Sequence, residues 1–307
     1  MAQITTHCRI SSPVPFLDVD VSKDNRMFVD PHSIRLQAKP QPFLSEAKHA
    51  IDSFFGEITA CVLSRSPADE RRGLDMLQHF EEPWETRLGL AKAGFSGHGG
   101  AEEIGALIWG SLSTDLRALV RVGILQHVEE LALFVKGVDR DITSDVTTRV
   151  VFGALANFTA QMMIDFPEFR SGGNRSEKFD RQVWDPAALT WAQRRIELPV
   201  VNGKPLLLVP RDWARHTLLM SAGRFYETSV LSYAQLEQTV FGSDGKLLKT
   251  RKDDLKEQDA LARGRATNLS VTLRAKSKDE NLVAMFRQFV DDRYEPLTDE
   301  EIRHLLR

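Results

Sequence analysis

The sequence predicts an α/β chain of the mixed α+β kind, and three observations predict it. Period-two apolar alternation appears near the N-terminus, and two apolar runs flank an Asn-Gly turn around residues 197 to 209. Apolar spacing of three and four residues fills most of the middle, and the last third is helical and charged. The expected order is an N-terminal β-hairpin, a largely helical middle with one central buried strand, then a C-terminal hairpin and charged helices. Segments 1–170 and 171–307 are the natural division, either as two domains or as one continuous domain.

The elements follow in order. In "PFLDVDVSKDNRMFVDP", Phe16, Leu17, Val19 and Val21 alternate, "SKDN" supplies side-chain turn formers, and "RMFV" resumes, which predicts the hairpin. From Ser45 the period becomes helical through Ala47, Ala50, Ile51, Phe54, Phe55, Ile58 and Val62, and "SRSPADERR" opens another helix. A glycine-rich loop leads into an apolar helix from about Ala101 to Leu119. "VEELALFVKG" reads as a buried strand, and most of "ITSDVTTRVVFGALANFTAQMMIDF" as one long helix. "RSGGNRSEKFDRQ" reads as a polar break. Asn202-Gly203, between "ELPVV" and "KPLLLVP", signals a type I′ hairpin, and Thr298 with Glu301 makes a capping box near the end.

Bulk properties exclude several classes. The chain has 307 residues, a formal net charge of −3 and a pI near 6.3. No apolar run approaches the ~20 residues of a membrane helix, and the first residues lack the pattern of a signal peptide, so a cytoplasmic protein without membrane contact is expected. Cys8 and Cys61 have no paired spacing and read as reduced packing residues. Charge is uneven: between residues 245 and 278, ten Lys/Arg face four Asp/Glu. Such a basic segment beside an acidic body suits nucleic acid, and equally suits a solvated helix.

Three stretches carry candidate chemistry. In "FVKGVDRDITSDVTT", Asp139 and Asp141 sit two apart, and in an extended segment would share one side as ligands for Mg²⁺ or Mn²⁺. Asp145 would complete the shell or act catalytically; alternatively these aspartates organise a turn and cap the next helix. In "WETRLGLAKAGFSGHGGAEEIG", Gly97, Gly99 and Gly100 at a helix start would present N–H groups to phosphate, with His98 moving a proton. Glu102 and Glu103 in the first turn oppose an anion there. Glu85 and Arg87, two apart, form either an ion pair or a ligand and a phosphate clamp. In "NGKPLLLVPRDW", Lys204 and Arg211 place cations at both ends of a buried strand, either near a developing phosphate charge or as surface charges. Hydrolase-elbow, zincin and kinase signatures are absent.

The segments "FLDVDVSKDNRMFVDP", "ETRLGLAKAGFSGHGG", "LFVKGVDRDITSDVTT" and "GKPLLLVPRDW" together resemble an uncharacterised bacterial family associated with mobile and phage-defence gene neighbourhoods. The resemblance implies a bacterial cytoplasmic setting and nucleic-acid or nucleotide chemistry, and carries no residue roles. The leading expectation is a metal-dependent phosphodiesterase, a nuclease in a defence system, within a multi-protein or oligomeric assembly. The rivals are a non-catalytic sensor or assembly subunit, and a nucleotide-cleaving enzyme such as an NAD hydrolase.

Overall fold

Where the apolar period is helical, helices form. In the computed structural model, which describes residues 3–64, 66–89, 98–241, 243 and 246–306 (backbone only for 98–101), Asp30 caps α1 (Pro31–Leu36) and Ser66 caps α3 (Pro67–Met76). Each helix carries proline in its first turn, where the missing N–H costs nothing. Between them, α2 (Phe43–Ser64) buries the expected stripe from Ala47 to Val62. The glycine-rich segment enters α4 (His98–Ser113).

The expected strand over 128–137 is helical instead, with a tight turn at Val128–Glu130 and a short helix at Leu131–Phe134. Leu131, Ala132, Leu133, Phe134 and Val135 are all buried, and an apolar run buried on every side has no period to separate strand from helix. The Glu130 carboxylate selects the helix by accepting the backbone N–H groups of Gln126 and His127 at 2.7 and 3.0 Å. The long helix then breaks at Val151 into α5 (Arg140–Val150) and α6 (Phe152–Asp165).

Strands are few and pair over long distances. No N-terminal hairpin forms: β1 (Phe28–Val29) pairs antiparallel with β5 (Ala214–Arg215), and Phe16 bridges to Pro210. The alternation of Phe16 to Val21 reported which side chains are buried, not which strand accepts them. The "polar break" is half of a long ribbon, β2 (Arg175–Asp185) against β3 (Thr190–Val201), with Asp185 organising the turn by accepting the N–H groups of Ala187 and Ala188. One end of the ribbon is docked on the helices. Trp184 stands edge-on to Phe54 at 5.1 Å and donates to Ser53 Oγ, while Trp191 donates to the Met76 carbonyl. The Asn202-Gly203 turn joins β3 to β4 (Lys204–Pro205), with φ positive at both turn residues as type I′ demands. Leu206–Val209 is buried but joins no strand; its backbone bonds to Pro199, Glu85, Thr159 and Leu17 in turn.

The architecture is thus mixed α+β, mostly helical with small antiparallel sheets. A continuous buried apolar cluster runs from Ile4 to Leu306 across residue 170. Cys8 and Cys61 are buried free thiols. The last third ends in α7 (Arg265–Lys276), α8 (Leu282–Asp291) and α9 (Asp299–Leu305), the last with the expected Thr298/Glu301 capping box. Among the described residues, no helix is long and apolar enough to cross a membrane.

Candidate functional site

The aspartate stretch begins a helix, and this reassigns each carboxylate. Asp139 is the N-cap of α5: its Oδ1 accepts the N–H groups of Asp141 at 3.1 Å and Ile142 at 3.3 Å. The extended geometry that would have paired Asp139 with Asp141 is therefore replaced, and capping belongs to Asp139 rather than Asp145. On a helix, residues four apart share a face, so Asp141 and Asp145 are the facing pair. The Asp141 carboxylate lies against Gly89, whose φ is +123°. Burial, then the charges of Asp141 and Glu82, push the Asp145 carboxyl up to about 8 against the opposing pull of Arg149. Glu82 is itself raised by burial and by Asp24 and Asp141. Asp24, Glu82, Asp141 and Asp145 thus form one electrostatic neighbourhood. Among the described residues, no group of three or more His, Cys, Asp or Glu is gathered closely enough to hold a metal ion.

Asp24 also belongs to the wall of an adjoining groove of about 420 Å³, together with Lys23, Trp84, Arg87, Asn202 and Lys204. The "SKDN" turn forms one side. Asn25 staples it to the opposite side, donating from Nδ2 to the carbonyls of Asp20, Lys23 and Arg87, and from its backbone to Arg87 at 2.8 Å. Arg87 adopts a left-handed backbone, φ +58°, with its guanidinium donating to the carbonyls of Trp84 (2.7 Å) and Pro205 (3.3 Å). Burial lowers the pKa of that guanidinium, and Glu85 and Asp24 act against the shift. Lys204 is exposed on the type I′ turn. The structure therefore places Arg87 and Lys204 on the wall of one groove.

Other expected site residues lie elsewhere. Glu85 is 1% exposed and held by Arg181 at 2.7 Å, with Arg149 at 3.8 Å, so it is a buried ion-pair partner rather than a ligand. The pair it forms is with these arginines, not with Arg87. Arg211 lines no part of the groove and pairs with Asp299. Gly97 and the side chain of His98 lie outside the described residues, while the backbone of Gly99 and Gly100 is in the first turn of α4. In the basic segment, several cations are engaged within the chain. Lys256 pairs with Glu227 and Asp253, Arg274 and Lys278 with Glu237, and Lys252 donates to the Glu227 carbonyl.

A second polar cluster was not anticipated. His32, 1% exposed, lies 2.7 Å from Asp291 and 3.4 Å from Glu129, which Arg35 also binds at 2.6 Å, while Arg287 pairs with the fully buried Glu130. The available signal was "VEELAL", where two glutamates interrupt an apolar run and must meet cations if buried. These pairs tie α8 to the helices of the N-terminal part.

A family model described as a domain of unknown function (DUF8370) matches residues 9–221. No curated protein and no solved structure matches the chain. The groove and the carboxylates beside it fall within the matched region; the basic segment and α7 to α9 fall beyond it.

Proposed function

The chain belongs to the DUF8370 family, and from its site we propose that it hydrolyses a phosphodiester with the help of Mg²⁺ or Mn²⁺. The observation that carries this reading is the junction at Asp24 of two opposite surfaces, the carboxylates of Glu82, Asp141 and Asp145 and the cations of the groove. Mg²⁺ is commonly held by one or two carboxylates together with substrate phosphates, so an Asp141–Asp145 pair suffices where no three-residue cage exists. The bound ion would polarise the phosphoryl group and lower the pKa of an attacking water. The chain's own part is to place the phosphate. Arg87, fixed by two carbonyls, and Lys204 neutralise charge that develops on its oxygens. Glu82 and Asp24 orient water from the acidic side.

The setting of this activity, cytoplasmic anti-phage defence, rests on the resemblance given above. Contact of residues 245–278 with nucleic acid is part of the same proposal. Incubating the purified protein with DNA, RNA and NAD, each with and without Mg²⁺ or Mn²⁺, tests it. Metal-dependent cleavage of DNA or RNA that is lost in Asp141→Asn supports the reading. Cleavage of NAD alone, in EDTA, would replace it with a nucleotide-cleaving enzyme. An assembly subunit is the second reading, favoured by one observation: the Val240–Phe241 and Leu247–Leu248 hairpin exposes all four apolar side chains, Phe241 by 76%.

A further inference from the structure

The groove holds a feature that phosphate binding does not require. Trp84 sits on the tight turn Trp84–Thr86 with 40% of its surface exposed, on the wall of a cavity otherwise rich in polar groups. Among the described residues it packs against no other aromatic ring, unlike Trp184 and Trp191, which anchor the ribbon. The Arg87 guanidinium lies over the indole at 5.5 Å from its centroid, and both residues line the groove.

We propose that this groove binds one nucleotide of a single-stranded nucleic acid, with the base against the Trp84 indole and its phosphate against Lys204 and Arg87. The inference rests on the phosphodiesterase reading and names its substrate class. Three observations and one general principle support it. A volume of about 420 Å³ suits a single nucleotide-sized group. The platform is rigid, because Arg87 is locked to Trp84 and Pro205 and its carbonyl accepts twice from Asn25. Lys204 makes no side-chain hydrogen bond or ion pair among the described residues, so its ammonium is available at the groove mouth. Finally, the combination of a stacking surface with cations is the arrangement by which proteins hold unpaired bases of any sequence, since every base has a π face. A duplex keeps its bases stacked on each other and offers none to an indole, which is why a single strand is specified. Asp24 on the acidic wall disfavours a second phosphate on that side of the groove.

The test is binding in EDTA, which separates it from hydrolysis. Fluorescence anisotropy would follow a ten-nucleotide oligo-dT and oligo-U, an abasic oligomer of equal length, and thymidine monophosphate as competitor. Trp84→Leu should weaken oligonucleotide binding about 5- to 150-fold, and Trp84→Phe, which keeps a π face, far less. Abasic oligomer should bind the natural chain weakly and be indifferent to Trp84→Leu. Lys204→Gln should flatten the slope of log affinity against log salt by about 0.7 for either oligonucleotide. Equal binding of abasic and base-bearing oligomers, or a Trp84→Leu protein with unchanged melting temperature and unchanged affinity, would overturn the site. Thymidine monophosphate competing as well as the oligonucleotide would overturn the polymer and assign a free nucleotide. Trp84-dependent binding without cleavage in Mg²⁺ would keep this site and remove the hydrolase; cleavage with Trp84-independent binding would do the reverse.

Discussion

Replacing Asp145 by asparagine should make the protein more stable, and the gain should depend on pH. In the fold, burial and the neighbouring Asp141 and Glu82 raise the carboxyl from its ordinary 3.8 to about 8. A raised folded pKa means that the contribution to stability is fully present below pH ~4 and is lost as pH rises through ~8. At pH 7, roughly 3 units above the ordinary value, the part of that shift already lost would correspond to ~4 kcal/mol, at 1.36 kcal/mol per pKa unit. The side chain keeps some solvent contact, so about half of that, ~2 kcal/mol, is expected. For a chain of this length that is about 3 °C in melting temperature. Urea unfolding in EDTA at pH 4, 6 and 8 measures it: the two proteins should match at pH 4 and diverge as pH rises. Adding Mg²⁺ at pH 8 should restore the natural chain, by about 2.7 kcal/mol at a hundredfold excess over Kd, and leave Asp145→Asn unmoved. A gap that is absent, reversed or independent of pH would refute the argument that Arg149 leaves the Asp145 charge under-compensated.

Three other outcomes follow from the geometry. Asp139→Ala should cost ~0.5–2 kcal/mol through loss of the α5 cap while Asp139→Ser keeps most of it, and neither should change metal-induced stabilisation; loss of the metal response in Asp139→Ser would return that residue to the ligand set. Around His32, burial works against charge, but Glu129, Asp291 and Asp30 prevail and raise its pKa; for Glu129, burial is outweighed by His32 and Arg35, which hold it at about 2. Stability from His32 should therefore fade as pH climbs above ~6.5, and that from Glu129 as pH drops from ~4.5 toward 2. His32→Gln should flatten the alkaline limb of a urea-midpoint profile, and an unaltered limb would sink the assignment. In the basic segment, Lys249→Gln with Arg251→Gln should lower the salt dependence of nucleic-acid binding, whereas Lys256→Gln, already paired with Glu227, should change it little; equal effects would show that internal pairing does not decide which cations bind.

What the sequence made legible was local. The α2 stripe and the Asn202-Gly203 turn each depend on a few neighbouring residues, as does the Thr298/Glu301 box, and each appears as expected. Pairing partners were not legible: nothing in "MFV" specifies Ala214 and Arg215, nearly two hundred residues away. Nor was the ribbon, since β2 is half-exposed on both faces and lacks the apolar alternation that marks a strand. The groove gathers residues 23, 24, 84, 87, 202 and 204 from three segments, a convergence that only tertiary structure creates.

The acidic site shows how one local assignment propagates into chemistry. Had residues 131–137 formed a strand, a period of two would have joined Asp139 with Asp141 and left Asp145 to cap. Because the Glu130 carboxylate holds the Gln126 and His127 N–H groups, the chain turns helical there, and Asp139 becomes the cap of the next helix. The period of 3.6 then aligns Asp141 with Asp145 one turn apart. Asp139 spends Oδ1 on two backbone N–H groups, whereas Asp145 has no hydrogen bond among the described residues and bears the repulsion of its neighbours. A cation gains most where negative charge is least compensated, so the helix moves the favoured ligand from Asp139 to Asp145. Metal-induced stabilisation that survives Asp139→Asn and vanishes in Asp145→Asn is the pattern this geometry requires; the opposite pattern would restore the pairing of Asp139 with Asp141.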